Sequence, residues 1–167
     1  WPSVAAVVPA RNEADVIDGV VASLLAQDYP GAFSIWLVDD SSTDGTAEVA
    51  GRAAARFANA DSLTVVAGEA LPLGWAGKVW AMHCGYRRAS ETDPEYVLFC
   101  DADIVHDPGV LRRLVDKARL DDLDLVSQMV MLSARGFWES LLVPAFVFFF
   151  AKLFPFAWVN RPERKLA

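Results

Sequence analysis

The sequence predicts an α/β domain: a mainly parallel sheet with helices on both faces. Three observations predict it. Short apolar runs, the length of buried strands, recur along the chain. Between them stand stretches with apolar residues at helical spacing. The polar and acidic clusters follow the apolar runs, where the carboxyl ends of parallel strands would lie.

The elements read in order. Val4 to Val8 is apolar and stops at Pro9, a buried strand running into a loop. Asp15 to Gln27 carries Val16, Ile17, Val20, Val21, Leu24 and Leu25 at the spacing of an amphipathic helix. Pro30-Gly31 is a turn, and Phe33 to Asp40 is a second strand. Thr43 or Asp44 can cap a helix over Thr46 to Ala58. Ser62 to Gly68 is a third strand, Lys78 to Arg88 a helix, and Tyr96 to Cys100 a fourth strand. Pro108 opens a helix to about Ala118, and "LDLVSQMVML" is a fifth strand. No internal repeat or low-complexity linker interrupts the order.

With 167 residues, one domain is the expectation, and 54% hydrophobic with 22% charged residues suffices for a core. The net charge of −7 and a pI near 4.7 argue against a nucleic-acid partner, which needs a basic face. A phosphate ligand stays open, because a cation can mediate between carboxylates and phosphates. Two cysteines without a CxxC pattern suggest a reducing compartment rather than a disulfide framework. The chain starts at Trp1 and stops at "RPERKLA", so an internal piece of a longer protein is expected.

Asp101 and Asp103 follow "YVLFC". Strand alternation would point both to one side, and no lysine or arginine follows closely. A divalent cation, Mg²⁺ or Mn²⁺, would answer the paired charge; a solvated turn before Asp107-Pro108 is the plain alternative. Asp39 and Asp40 follow "IWLV": one can accept from a base or sugar hydroxyl while the other supports the turn. Against this, Asp44 with its serine and threonine neighbours could simply make a capped turn. Lys78 starts a helix after Gly74, Trp75 and Gly77, where ammonium and helix N-terminus would both favour a phosphate. The spacing is not that of a P-loop. His83 and His106 are isolated, and a structural role is the default for each.

In order and spacing, "VVPARNE", "VDDSSTDGT", "GWAGKVWAMHCG" and "FCDAD" resemble family 2 glycosyltransferases of the GT-A fold, from about Val4 to Val130. The resemblance implies inverting transfer of a sugar from a nucleotide-diphosphate donor, a UDP-sugar by family preference. It places Pro9, Asn12 and Glu13 near the nucleoside, with Arg11 standing where an aromatic residue is usual. It puts Asp40, with Asp39, on the base, Lys78 on the diphosphate region, and Asp101 and Asp103 on the diphosphate, Asp103 through the metal. His83 replaces a usual Asn. The segment "LPLGWAGKVWAMHCG" is most similar to the branch that acts on terpenoid lipids, which implies a lipid acceptor, a hopanoid or carotenoid setting, and the cytoplasmic face of a bacterial membrane. The family's ED-type base and Q-x-x-R-W motif are not found, and Glu163 does not match. The base is therefore expected beyond Ala167, and no catalytic residue is assigned. Two alternatives stand beside this: a non-catalytic nucleotide- or metal-binding module of a membrane assembly, and a nucleotidyltransferase, whose usual Gly-rich loop is missing from "VVPARNEA".

The resulting plan is a nucleotide-sugar-binding domain over 1–135, an apolar helix over 136–160 and the start of an acceptor part over 161–167. Leu141 to Val159 holds one charge, Lys152. Its length suits a span, but Pro144, Lys152 and Pro155 weaken that. Phe146, Phe149, Phe150, Leu153 and Phe154 share a helical face, which suits a membrane interface. A span and a core helix are the other readings.

Overall fold

Every residue of Val4–Ala10 is buried, as a central parallel strand covered on both faces requires. This strand, β1, anchors the sheet. The structure, a computed structural model, describes residues 1–132, 134 and 136–154. Phe33–Asp39 forms β2, Leu63–Ala67 β3 and Tyr96–Phe99 β4. The order is β3-β2-β1-β4, and every pairing is parallel. The helices are α1 (Ile17–Leu25), α2 (Thr46–Ala54), α3 (Gly77–Ser90), α4 (Val110–Leu120) and α5 (Phe137–Leu153).

Alternation along β1 divides the core. Ala6, Val8 and Ala10, with Ile35 and Leu37 of β2, pack on Ile17, Val20 and Leu24 of α1 and on Ala50 and Ala53 of α2. Val4 joins Leu111 and Val115 of α4 on the same face. Ala5 and Val7 turn to the other face, where Ala89 of α3 meets them. Each fully buried Val, Leu or Ile contributes about 1.5–3 kcal/mol. A Cβ added at Gly85 would lie 2.6 Å from Val7 Cγ1 and 2.7 Å from Val38 Cγ2, so α3 lays its backbone against the sheet there. Helices on both faces are thus observed as expected.

The chain runs from β1 outward through β2 to β3, then crosses back to place β4 on the other side of β1. The direction of winding reverses between β1 and β4, where an open α/β sheet forms its ligand crevice.

Two expectations fail. "LDLVSQMVML" is no strand: residues 125–132 have no regular structure, and among the described residues the outer edge of β4 has no partner. The β-branched residues are present, but Leu125, Met129, Val130 and Met131 are exposed, and an apolar strand without a buried face gains little from pairing. The second concerns α5. A single phenylalanine face was expected, yet Leu141, Leu142, Val147 and Phe148 are exposed as well, so apolar groups lie around the circumference. The helix starts at Phe137, close to the expected start, contains Pro144, and has the Gly136 N–H donating to Glu139 Oε2 at 2.8 Å. Phe146, Phe150 and Phe154 form a row, with ring centroids 6.2 and 5.1 Å apart. Residues 155–167, with Pro155, Glu163 and the end of the expected apolar segment, lie outside the described residues. Among the described residues no helix is long and apolar enough to cross a membrane.

The chain divides into two units, Trp1–Val126 and Ser127–Ala167. Sheet and candidate site belong to the first, α5 to the second.

Candidate functional site

Two loops at the carboxyl edge of the sheet are clasped together. After β1, Asn12 and after β2, Ser41 take left-handed backbone conformations, φ 55° and 59°. The Asn12 N–H donates to Ser42 Oγ at 3.0 Å, and Asn12 Oδ1 accepts from the Thr43 N–H at 2.8 Å. The Glu13 N–H donates to Thr46 Oγ1 at 2.9 Å, and the Ala14 N–H to Asp44 Oδ2 at 3.0 Å. Thr46 Oγ1 in turn donates to Asp44 Oδ1 at 2.6 Å. These bonds, that from Thr46 first, hold the Asp44 carboxyl below the usual carboxylate range.

Asp39 and Asp40 divide their work. Asp39 Oδ1 accepts from the Ser42 N–H at 3.1 Å and its carbonyl from the Gly68 N–H at 2.8 Å, so it supports the turn. Asp40 faces a pocket of about 260 Å³. Pro9, Arg11 and Glu13 line that pocket from the β1 loop, Lys78 from the start of α3, and Asp101 and Asp103 from the β4 loop. It therefore sits at the reversal between β1 and β4. The small side chains of Ala10, Ala81 and Ala102, with Gly77, keep its walls open.

Structure thus gathers the candidates except Asn12 and Asp39, whose side chains serve the loops. The predicted geometry of Asp101 and Asp103 needs correction. β4 ends at Phe99, and the two aspartates sit in the turn beyond it. Strand alternation does not place them; the turn does. Asp101 also has a basic partner, distant in sequence: Lys78 Nζ lies 2.6 Å from Asp101 Oδ1. Arg11 pairs with Asp40 at 3.4 Å. Neither pair was visible to a reading of local sequence.

His83 stacks near Trp75 and Trp80, centroids 5.1 and 5.4 Å away, and does not line the pocket. The His106 N–H donates to Ser23 Oγ at 3.1 Å, and burial lowers the pKa of its ring. Burial, with the charge of Asp101 second, pushes the Cys100 thiol up to about 12, so it is no nucleophile near neutrality. The cross-loop clasp, Thr46 above all, is the part that sequence reading missed. "SSTDGT" was legible only as a capped turn.

Four carboxylates and two bases line the pocket, a formal excess of two negative charges. Their hard oxygens suit Mg²⁺ or Mn²⁺, and the Lys78 ammonium already occupies a cation's place on Asp101. Among the described residues no group of three or more His, Cys, Asp or Glu forms a metal cage. Asp101 and Asp103 would hold such an ion together with ligand oxygens.

Comparison with known proteins is consistent across sequence and structure. The family described as Glycosyl transferase family 2 matches residues 5–162. An N-acetylglucosaminyltransferase of Mesorhizobium japonicum is 32% identical over 143 residues, 85% of this chain and 31% of that protein. A beta-monoglucosyldiacylglycerol synthase of Synechocystis sp. is 34% identical over 116 residues, 69% of this chain and 22% of that protein. The chain thus spans under a third of the length of these curated relatives. Among solved structures, the glucosyl-3-phosphoglycerate synthase of Mycobacterium tuberculosis, in complex with Mn²⁺, UDP and glucosyl-3-phosphoglycerate, is similar with a TM-score of 0.52 and 26% identity. That likeness covers 70% of this chain and 39% of the other.

Proposed function

The chain belongs to glycosyl transferase family 2, and on that premise we propose that its pocket binds a nucleotide-diphosphate sugar, a UDP-sugar, with a divalent cation. The protein would pass the sugar with inversion to a hydroxyl of a lipid. One observation carries the donor site: Asp101 and Asp103 share a pocket with Asp40, Arg11 and Lys78 at the reversal point of the sheet. Asp40 accepts hydrogen bonds from the base. Lys78, at the N-terminal end of α3, meets the diphosphate with its ammonium and the helix's free N–H groups. Pro9, Arg11 and Glu13 line the nucleoside side. Asn12 and Asp39 contribute by holding the loops that carry these groups. The cation, held by Asp101 and Asp103, supplies charge neutralisation for the leaving diphosphate. Mn²⁺ and UDP in the mycobacterial synthase complex support this choice.

The lipid acceptor rests on separate support. The Synechocystis relative is named for a glycolipid product, and α5 is apolar from Leu141 to Ala151, between Glu139-Ser140 and Lys152. The narrower assignment to a terpenoid lipid, such as a hopanoid, rests on "LPLGWAGKVWAMHCG" alone, and with it goes a place at the cytoplasmic face of a bacterial membrane.

Calorimetry tests the donor site. UDP should bind with Mn²⁺ and bind at least about ten-fold more weakly with EDTA. Asp103→Ala should lose most of the metal-dependent part, and Asp40→Ala should weaken even free uridine. Equal UDP affinity with Mn²⁺ and EDTA removes the metal from the account.

A further inference from the structure

Resting on that reading of the pocket, we propose that Lys78 is a built-in stand-in for the cation, so that metal and donor each favour the other's binding. Its ammonium lies 2.6 Å from Asp101 Oδ1 and offsets that carboxylate's charge. A metal arriving alone meets two carboxylates, one already engaged, and among the described residues no third acid completes a cage. To use Asp101 Oδ1 it displaces Lys78, and otherwise it binds beside that positive charge. A metal arriving with a nucleoside diphosphate meets no such penalty. The phosphates supply ligand oxygens and give the displaced ammonium a new partner.

The geometry permits the exchange. Lys78 and Asp101 side chains are 58% and 52% exposed, so their bond is weak and readily broken. A lysine ammonium is a point charge on a flexible stem, able to turn from one oxygen to another without a fixed fork of donors. Its backbone is anchored at the first turn of the 14-residue α3, so only the side chain has to move.

The test measures Mn²⁺ binding by electron paramagnetic resonance on the full-length protein, without nucleotide and then with UDP. Lys78→Met should bind Mn²⁺ alone about two- to five-fold more tightly than wild type, the range set by losing one exposed ion pair. The same variant should bind UDP in saturating Mn²⁺ at least about ten-fold more weakly. The two effects have opposite signs, which general damage to the pocket would not produce. Lys78→Arg keeps the charge and should leave Mn²⁺ affinity near wild type. Unchanged or weaker Mn²⁺ binding by Lys78→Met, at a site that Asp103→Ala abolishes, overturns the inference and leaves the donor-site reading standing. Absence of any Mn²⁺ binding sensitive to Asp103→Ala overturns both.

Discussion

Thr46 carries no charge and does not line the pocket, yet it is fully buried and holds the pocket's wall. Its hydroxyl accepts from the Glu13 N–H and donates to Asp44. Thr46→Val keeps the shape and removes both bonds, leaving a partly buried N–H without its acceptor. Stability should fall by about 1–3 kcal/mol, read by urea denaturation. The same residue explains why part of the site was hidden in the sequence. Carboxylates after apolar runs announce themselves; a threonine at the start of a helix looks like an ordinary cap. The Lys78–Asp101 and Arg11–Asp40 pairs were hidden for another reason. They join residues far apart in the chain, and only the strand order brings them together.

At the scale of elements, α3 is tied to the sheet through Gly85. Alanine in an exposed helix interior gains about 0.5–1 kcal/mol over glycine. At Gly85 the new methyl would collide with Val7 and Val38, and overpacking of this kind costs about 1–3 kcal/mol. Gly85→Ala should therefore destabilise, while Gly51→Ala in α2, where no heavy atom lies within 4 Å of the new Cβ, should stabilise. Paired denaturation curves check the reversal of sign. Strands β1, β2 and β4 were legible from their apolar runs, although only β1 is buried along its whole length and the edge strand β4 is half-exposed. The fifth strand was misread because its residues suit a strand, while among the described residues most of them, from Ser127 to Leu132, stay exposed. For α5, replacing Phe146, Phe149, Phe150 and Phe154 by Ser should abolish co-sedimentation with liposomes and leave UDP binding intact, if its apolar surface meets lipid. Loss of both would place those rings in a protein core, and a wild-type chain that ignores liposomes would remove the lipid contact.

For the molecule as a whole, the clasp couples the site to pH. The folded state lowers the pKa of Asp44, chiefly through the Thr46 hydroxyl. Its contribution to stability is complete above the unfolded carboxylate value, about 4. It is lost as pH falls from there through the lower folded value, because the unfolded chain binds the proton first. Asp44→Asn should flatten that part of the stability-pH curve, measured as the urea midpoint between about pH 5 and 2. The parallel layering and the edge that bears the site could be read from the chain, because both follow from where apolar runs meet acidic loops. The clasp could not, since its partners lie 30 to 33 residues apart. That separation also bears on solvent exchange. The amides of Glu13 and Ala14 are loop amides, yet each is bonded to a side chain that β2 and α2 deliver. Their hydrogens are free to exchange only when the clasp parts. Isotope uptake at these two positions thus reports the cohesion between the first two strand-loop-helix units, and a donor resting on the clasp would slow it from a distance.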